Sequence, residues 1–509
     1  MKKIIRSFAK MLGLTLLHLL VMSIVVINAL YINIDEKLAI TAAVAWVAIL
    51  WIAAFIIHKK KDHSDKKLRK SRRGYFIVLD ILIIVMMIAV TEFNRYWNSE
   101  VYRNNSWDAD SGSDIIPRDE ALSDFDFAMK YLEKVHPMTI DGLPPEVEKR
   151  AAEVRSYLER RNNITGYEFA RELESIFSML GDGHTYVEET YKELHYMKHI
   201  YEHNLRDETL VAINDIPLED FVKAEKGLVS YEREEDGLRL IKDRVGTLEG
   251  LKYLGIDTFK EITYNYVTPD GERVDEVVTP MDFFEMEDYL NYEEVMTGEN
   301  LHEVGKDDFV RYEVDKDHSL VILTLDSCNY NKHYREVLQK MFEDVEKNNI
   351  QNIAVDLRNN AGGSSRVGDE FINYLDVQEY KGWADETRAG SLMFKNKART
   401  YKNRRKGAGF SGNVYVLTSV ATFSSAMDFA MLMQDNGLGQ VIGESCGNMP
   451  VSCGEVARFM LPNSKLFMQI SSKKWYRVDE SKNDLPIIPD YECESSDAVD
   501  ELYRIIEQQ

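Results

Sequence analysis

Three long apolar runs open the chain, at 12–32, 38–57 and 75–90, with short polar stretches between them. A bilayer core takes about 20 apolar residues per helix, fewer when flanking side chains snorkel, so the pattern predicts three transmembrane helices in a membrane region spanning 1–93. His18 and Asp80 fall at similar depths in the first and third runs. From 94 to 118 the chain is polar, with Asn104-Asn105-Ser106 and Asp110-Ser111-Gly112-Ser113, and reads as a linker. Helical spacing returns at 123–132 and is stopped by Pro137, then recurs over 166–180, which predicts a helical subdomain at 119–204.

The texture changes twice more. Between 205 and 308, Leu210-Val211-Ala212-Ile213 reads as a strand, and 262–267 with 274–278 flank a Pro269-Asp270-Gly271 turn as a hairpin, so a small β-rich module is expected. From 309 to 509, short buried strands at 320–325, 353–356, 415–417 and 441–442 alternate with helical patterns at 331–347 and 424–434. That alternation predicts an α/β core.

Charge divides the chain in the same place as hydropathy. Residues 1–74 hold 14 Lys and Arg against 4 Asp and Glu, and the remainder holds 48 against 81. Basic residues precede the first run and crowd 58–73, while only Lys37 stands between the first two runs. The positive-inside rule therefore places the N-terminus in the cytoplasm and everything after about Asn94 outside a plasma membrane, bacterial by topology and by its Lys-rich, Trp-poor composition. Lipid contact is expected through the N-terminal helices. The acidic remainder repels phosphate backbones, which argues against nucleic acid as a partner. Four cysteines are too few for a disulfide scaffold, and none forms a C-x-x-C pair; Cys446 and Cys453 are expected either to pair or to be two separate buried thiols.

Three segments carry candidate chemistry. In 416–430 a buried strand ends in a small-residue turn and a helix begins at Ser424. Ser424 is either an N-cap, its hydroxyl accepting a backbone N–H, or a nucleophile at a positive helix end, with Ser425 next to it as an oxyanion donor. In Asp356-Leu357-Arg358-Asn359-Asn360-Ala361-Gly362-Gly363 a strand runs into paired glycines that can present N–H groups to an anion. In Gly181-Asp182-Gly183-His184-Thr185 a histidine follows a helix, and imidazole is the usual base for a serine hydroxyl.

Taken together, in this order, the three segments resemble the tail-specific (C-terminal processing) and tricorn-core serine peptidase family, over about 119–493. Echoes are His136-Pro137, Val441-Ile442-Gly443-Glu444 and Ile488-Pro489-Asp490. The resemblance implies a ClpP/crotonase-like core, a PDZ-like fold for the β-rich module, and Ser424 as nucleophile. No lysine stands in Glu444-Ser445-Cys446-Gly447, so the similarity is to the histidine-dependent branch, with His184 as base and Gly362, Gly363 and Ser425 as oxyanion donors. That branch also implies an orienting acid shortly before the terminal Pro-Asp, for which Asp479, Glu480 and Asp484 are the candidates. A membrane-anchored serine endopeptidase acting on extracytoplasmic peptides or proteins, with no metal or organic cofactor, is the expectation. The competing one is an inactive peptidase-fold receptor or scaffold that binds peptides outside the membrane.

Overall fold

The computed structural model describes residues 110–204, 206–224, 227–297, 308–389 and 392–508. The three N-terminal apolar runs, with His18 and Asp80, lie outside the described residues, and no helix among the described residues is long and apolar enough to cross a membrane.

The end of the expected linker is part of the fold. Strand β1 (Ile115–Pro117) pairs antiparallel with β2 (Asn163–Thr165), and the buried Ser111 accepts the Thr190 N–H at 2.8 Å. Helix α1 (Arg118–Val135) follows at once, with Asp119 and Glu120 favouring its positive end. It buries Ala121, Phe125, Ala128, Leu132 and Val135, a stripe of helical period, and Pro137 prevents its continuation. Helix α2 (Pro145–Glu159) and helix α3 (Gly166–Phe177) complete the subdomain, and α3 is capped by the Thr165 hydroxyl, which accepts the Glu168 N–H.

Glu174, on the buried side of α3, accepts the Val187 N–H at 2.7 Å and so holds strand β3 (Tyr186–Glu188). Burial pushes its carboxyl up to about 7 against an ordinary 4.5. The folded state therefore binds the extra proton. The associated stability is present below about pH 4.5 and is lost as pH rises through 7. Glu174→Gln is expected to gain on the wild type across that window, by up to about 3 kcal/mol, in urea unfolding series at pH 5 and pH 8.

The module at 205–308 contains β4 (Thr209–Ile213), β5 (Ile216–Pro217), α4 (Glu234–Val245), α5 (Leu248–Tyr253), β6 (Ile262–Val267) and β7 (Arg273–Val278). Its strands form an antiparallel sheet of order β5-β4-β6-β7, with the β6–β7 hairpin where the Pro-Asp-Gly turn predicts it. Ile213, Ile241, Val245, Leu251, Tyr264 and Val278 form its separate core.

The C-terminal part runs β8 (Val310–Asp315), β9 (Leu320–Leu325), α6 (Lys332–Asn348), β10 (Asn352–Asp356), the hairpin β11 (Asp385–Ala389) and β12 (Leu392–Asn396), β13 (Asn413–Thr418), α7 (Ser425–Asp435), β14 (Gln440–Gly443), the hairpin β15 (Cys453–Met460) and β16 (Phe467–Trp475), β17 (Tyr491–Glu492) and α8 (Ala498–Glu507). A six-stranded sheet has the order β8-β9-β10-β13-β14-β17 and is parallel apart from β8. Alternate side chains divide between its faces as the pleat requires. Ile353, Val355 and Val416 pack with α6 and α7, whereas Ala354, Tyr415 and Leu417 pack with Leu502 and Ile505 of α8. This is the α/β core that the alternation predicts.

A second sheet, of order β12-β11-β16-β15, has no counterpart in the sequence reading. It matters because β3 also joins it, pairing Tyr186 with Gln469 and Glu188 with Phe467 of β16. The helical subdomain is thereby stitched to the core, and Asp124 of α1 adds a second stitch by accepting the Ser464 N–H and hydroxyl, each at 2.7 Å, in the β15–β16 turn. All four cysteines are free, and Cys446 and Cys453 are separate buried thiols.

Candidate active site

Strands β10 and β13 run side by side, and the loops that leave them are laced together. The Leu357 N–H donates to Leu417 O at 3.0 Å, the Thr422 hydroxyl to Leu357 O at 2.8 Å, and the Phe423 N–H to Asn360 O at 3.0 Å. Asn360 is fully buried; its side-chain amide donates to Leu325 O at 2.7 Å, and its Oδ1 accepts the Gly362 N–H at 2.8 Å. The Ser424 N–H donates to Asn448 Oδ1 at 2.8 Å. The Gly-Gly turn and the head of α7 are therefore held in one rigid frame.

Ser424 has φ 55° and ψ −126°, and its side chain makes no capping hydrogen bond. Capping needs an extended residue whose oxygen accepts an N–H ahead of it, so the N-cap reading fails on both counts. A non-glycine residue at positive φ costs about 1–3 kcal/mol and persists where surrounding structure imposes it. Here the imposed conformation leaves the hydroxyl uncommitted.

Gly362 and Gly363 have φ of +104° and +139°. A Cβ on Gly362 would sit 2.7 Å from Ser424 Cβ and 2.9 Å from the Ser425 nitrogen, so absence of a side chain is what lets the turn touch the serine. The two glycines differ as donors. The Gly362 N–H is already spent on Asn360, whereas the N–H groups of Gly363 and Ser425 have no acceptor among the described residues. Gly363 is fixed from both sides, by its bridge to Cys328 and by the Ser425 hydroxyl donating to its carbonyl at 3.1 Å. Of the expected oxyanion donors, Gly363 and Ser425 are free, and Gly362 supplies space.

His184 reaches this frame because β3 begins two residues later. Its carbonyl accepts from Gln469 Nε2 at 3.0 Å, and Thr185 Oγ1 accepts the Ser471 N–H at 2.9 Å. The imidazole lies on the ring of Phe423, the residue before Ser424, with centroids 4.7 Å apart. Both ring nitrogens are buried without a hydrogen-bond partner. His184 thus lies against the residue that precedes Ser424, and no hydrogen bond joins its ring to the serine hydroxyl. Burial lowers the affinity of the imidazole for a proton below the ordinary value, and the charge of Asp182 partly opposes this.

The acids are not where the resemblance places them. Asp479, Glu480 and Asp484 lie at the opposite end of α7: the Asp479 N–H donates to Asp435, the last residue of that helix, and Glu480 and Asp484 are exposed. The helix has 11 residues, which separates its ends by about 15 Å. Arg477 explains the displacement. Its buried guanidinium pairs with the buried Asp435 and donates to the carbonyls of Leu485 and Pro486, drawing the loop away from Ser424.

Two other carboxyl groups stand beside His184, with donor atoms of all three within 4.8 Å of one another: Asp182 and Glu232. Asp182 accepts the backbone N–H of His184 at 2.9 Å and the His136 ring at 3.0 Å, which gives the His136-Pro137 echo a physical role. Burial works to raise its pKa, yet the His136 hydrogen bond and charge hold it well below the usual carboxylate range. Glu232 comes from the loop before α4. It accepts the Met449 N–H at 2.8 Å, and burial together with the charge of Asp182 pushes its carboxyl well above the ordinary value. Asp182 was visible in the Gly-Asp-Gly-His segment; Glu232 carried no local signal. His136, Asp182 and Cys453 also have donor atoms within 4.8 Å, with the His136–Asp182 hydrogen bond already occupying two of them.

Comparisons with known proteins bear on the fold and the family. No curated protein matches the chain. Solved structures do: mature CPAF in complex with lactacystin is 11% identical, covers 77% of this chain and 97% of its own, and superposes with a TM-score of 0.53. Mature CPAF alone gives 0.52 at the same identity, covering 77% and 96%. The photosystem II D1 C-terminal processing protease is 11% identical over 76% of this chain and 97% of its own, with a TM-score of 0.42. At such identities the likeness to CPAF speaks for the fold. Residues 320–493, from β9 to just beyond β17, match the model of peptidase family S41, and the chain therefore carries a peptidase family S41 domain and is a serine-type peptidase.

Proposed function

We propose that the protein is a membrane-anchored endopeptidase that hydrolyses extracytoplasmic peptides or proteins through an acyl-enzyme on Ser424. The observation that carries this reading is Ser424 itself: a serine at positive φ, its hydroxyl uncommitted, set against a glycine turn with the His184 ring on the adjacent residue. His184 takes the hydroxyl proton as Oγ attacks the scissile carbonyl carbon, and the N–H groups of Gly363 and Ser425 hold the oxyanion. The imidazolium then protonates the leaving amine as the C–N bond breaks. Water enters, gives a proton to His184 and adds to the ester, and collapse of that adduct returns the proton to Ser424 Oγ and releases the new carboxyl end.

The apolar runs at 12–32, 38–57 and 75–90 support the anchoring, and the basic 58–73 segment supports a cytoplasmic N-terminus with the peptidase outside. The module at 205–308, whose four-stranded antiparallel sheet shares a core with α4 and α5, is read as a PDZ-like unit that presents substrate to the core.

A serine-directed fluorophosphonate tests the core of this reading. The wild type is expected to be labelled at one site, mapped to Ser424 by peptide mass, and Ser424→Ala to be unlabelled. Wild-type protein with a cooperative unfolding transition and no label would end the hydrolase assignment.

A further inference from the structure

His184 has two buried ring nitrogens and Glu232 a buried Oε1, none of which has a hydrogen-bond partner, although donor atoms of the two residues lie within 4.8 Å. An unsatisfied buried polar atom costs about 1–3 kcal/mol, so three in one pocket mark groups that are incomplete until they meet. We propose that Glu232, contributed by the β-rich module, is the positioning carboxylate of the base: in the working enzyme its Oε1 accepts the N–H of one His184 nitrogen and leaves the other to take the proton of Ser424. This rests on the reading of Ser424 and His184 given above.

Asp182 is the competing carboxylate and is less suited. One of its oxygens accepts the His184 backbone N–H and the other the His136 ring, and its closest approach to the His184 ring is 3.8 Å, to Nδ1. Its bonds fix the loop that carries the base. Glu232 has one oxygen anchored on the Met449 N–H and the other free. The anchor is well placed, since Asn448, the neighbour of Met449, is the residue that holds the Ser424 N–H. Arg233 adds a hydrogen bond to Cys446 O in the same loop. One segment of the module thus bonds to the loop behind the nucleophile and brings a carboxyl group within 4.8 Å of the ring of the base.

The arrangement has a pH signature. The groups facing Glu232 are Asp182 and His184 from the loop before β3, Asp236 from α4 and Cys453 from β15. A carboxylate beside His184 stabilises the imidazolium; its removal lowers the basicity of the ring, so the neutral base persists to lower pH while the transition state loses its counter-charge. Burial and Asp182 raise the affinity of Glu232 for a proton, so its charge is called out by the imidazolium that forms beside it; Glu232→Gln keeps an oxygen for the Met449 N–H and removes the ability to ionise.

The experiment follows the pH profile of fluorophosphonate labelling at Ser424 in the full-length wild type and in E232Q. We expect the E232Q plateau to fall at least tenfold and its acidic limb to move to lower pH, with the thermal midpoint kept. E232Q that labels within twofold of wild type, with the limb unmoved, overturns the role of Glu232 while leaving the serine reading intact. A wild type that does not label removes the serine reading, and this one with it. Should E232Q lose its unfolding transition, E232D, which retains the carboxyl group but withdraws it by one methylene, is expected to label at least threefold more slowly; wild-type behaviour from E232D overturns the proposal equally.

Discussion

Ser424→Ala and His184→Ala are each expected to lower kcat by about 10⁴–10⁶-fold, and the double variant no further than the more damaging single one. The expectation follows from the two groups acting as a unit: without the hydroxyl the imidazole has no proton to take, and without the imidazole the hydroxyl is a poor nucleophile at neutral pH. On the proposed mechanism the rate that survives is that supported by the free N–H groups of Gly363 and Ser425, which neither substitution touches. Steady-state hydrolysis of an unfolded protein substrate, followed by the appearance of new amino termini, gives the three numbers. Strict additivity of the two losses would mean that His184 acts somewhere other than on Ser424.

Gly362→Ala carries the second large effect, on stability and activity together. A Cβ there would lie 2.7 Å from Ser424 Cβ, 2.8 Å from Phe423 O and 2.9 Å from the Ser425 nitrogen, and φ of +104° is itself a conformation that alanine avoids. Two of these three contacts are backbone atoms, pinned by the Asn360 and Asn448 hydrogen bonds, so no side chain can swing aside. The expected cost is about 2–4 kcal/mol in urea unfolding, from strain plus overpacking. Labelling at Ser424 should fall by two orders of magnitude or more, since the turn can accommodate the methyl group only by moving away from the serine. Gly437→Ala, also at positive φ but with nothing within 4 Å, is the matched control and should cost only about 1 kcal/mol.

The parts of this architecture legible in the sequence are those set by short-range pattern. The unbroken apolar run Ile353, Ala354 and Val355 shows a strand buried on both faces, and the paired glycines after Asp356 show the turn. The cluster of motifs around Ser424 and His184 could be recognised by order alone. What could not be read was governed by distant partners. A capping serine cannot be told from another serine at a helix start in a string of residues, and it takes the φ of 55° and the missing cap hydrogen bond to set Ser424 apart from a cap. The second sheet was invisible because β15 and β16 mix polar and apolar residues, and because β3, three residues long, is a strand only by virtue of β16. Asp479, Glu480 and Asp484 had the right chemistry in the right stretch, yet the buried Arg477–Asp435 pair takes that stretch elsewhere. Glu232 precedes a polar helix as any surface glutamate does; its proximity to His184 is purely tertiary.

The strand that follows the imidazole can form only when β16 exists to receive it, and β16 lies some 280 residues further along the chain. A ribosome-bound intermediate that has emerged as far as the module therefore possesses the histidine loop but neither its template nor the serine. Proteolytic competence arrives late in synthesis as a consequence of chain order, and the nascent polypeptide passes through most of its length with no means of cutting itself or its neighbours.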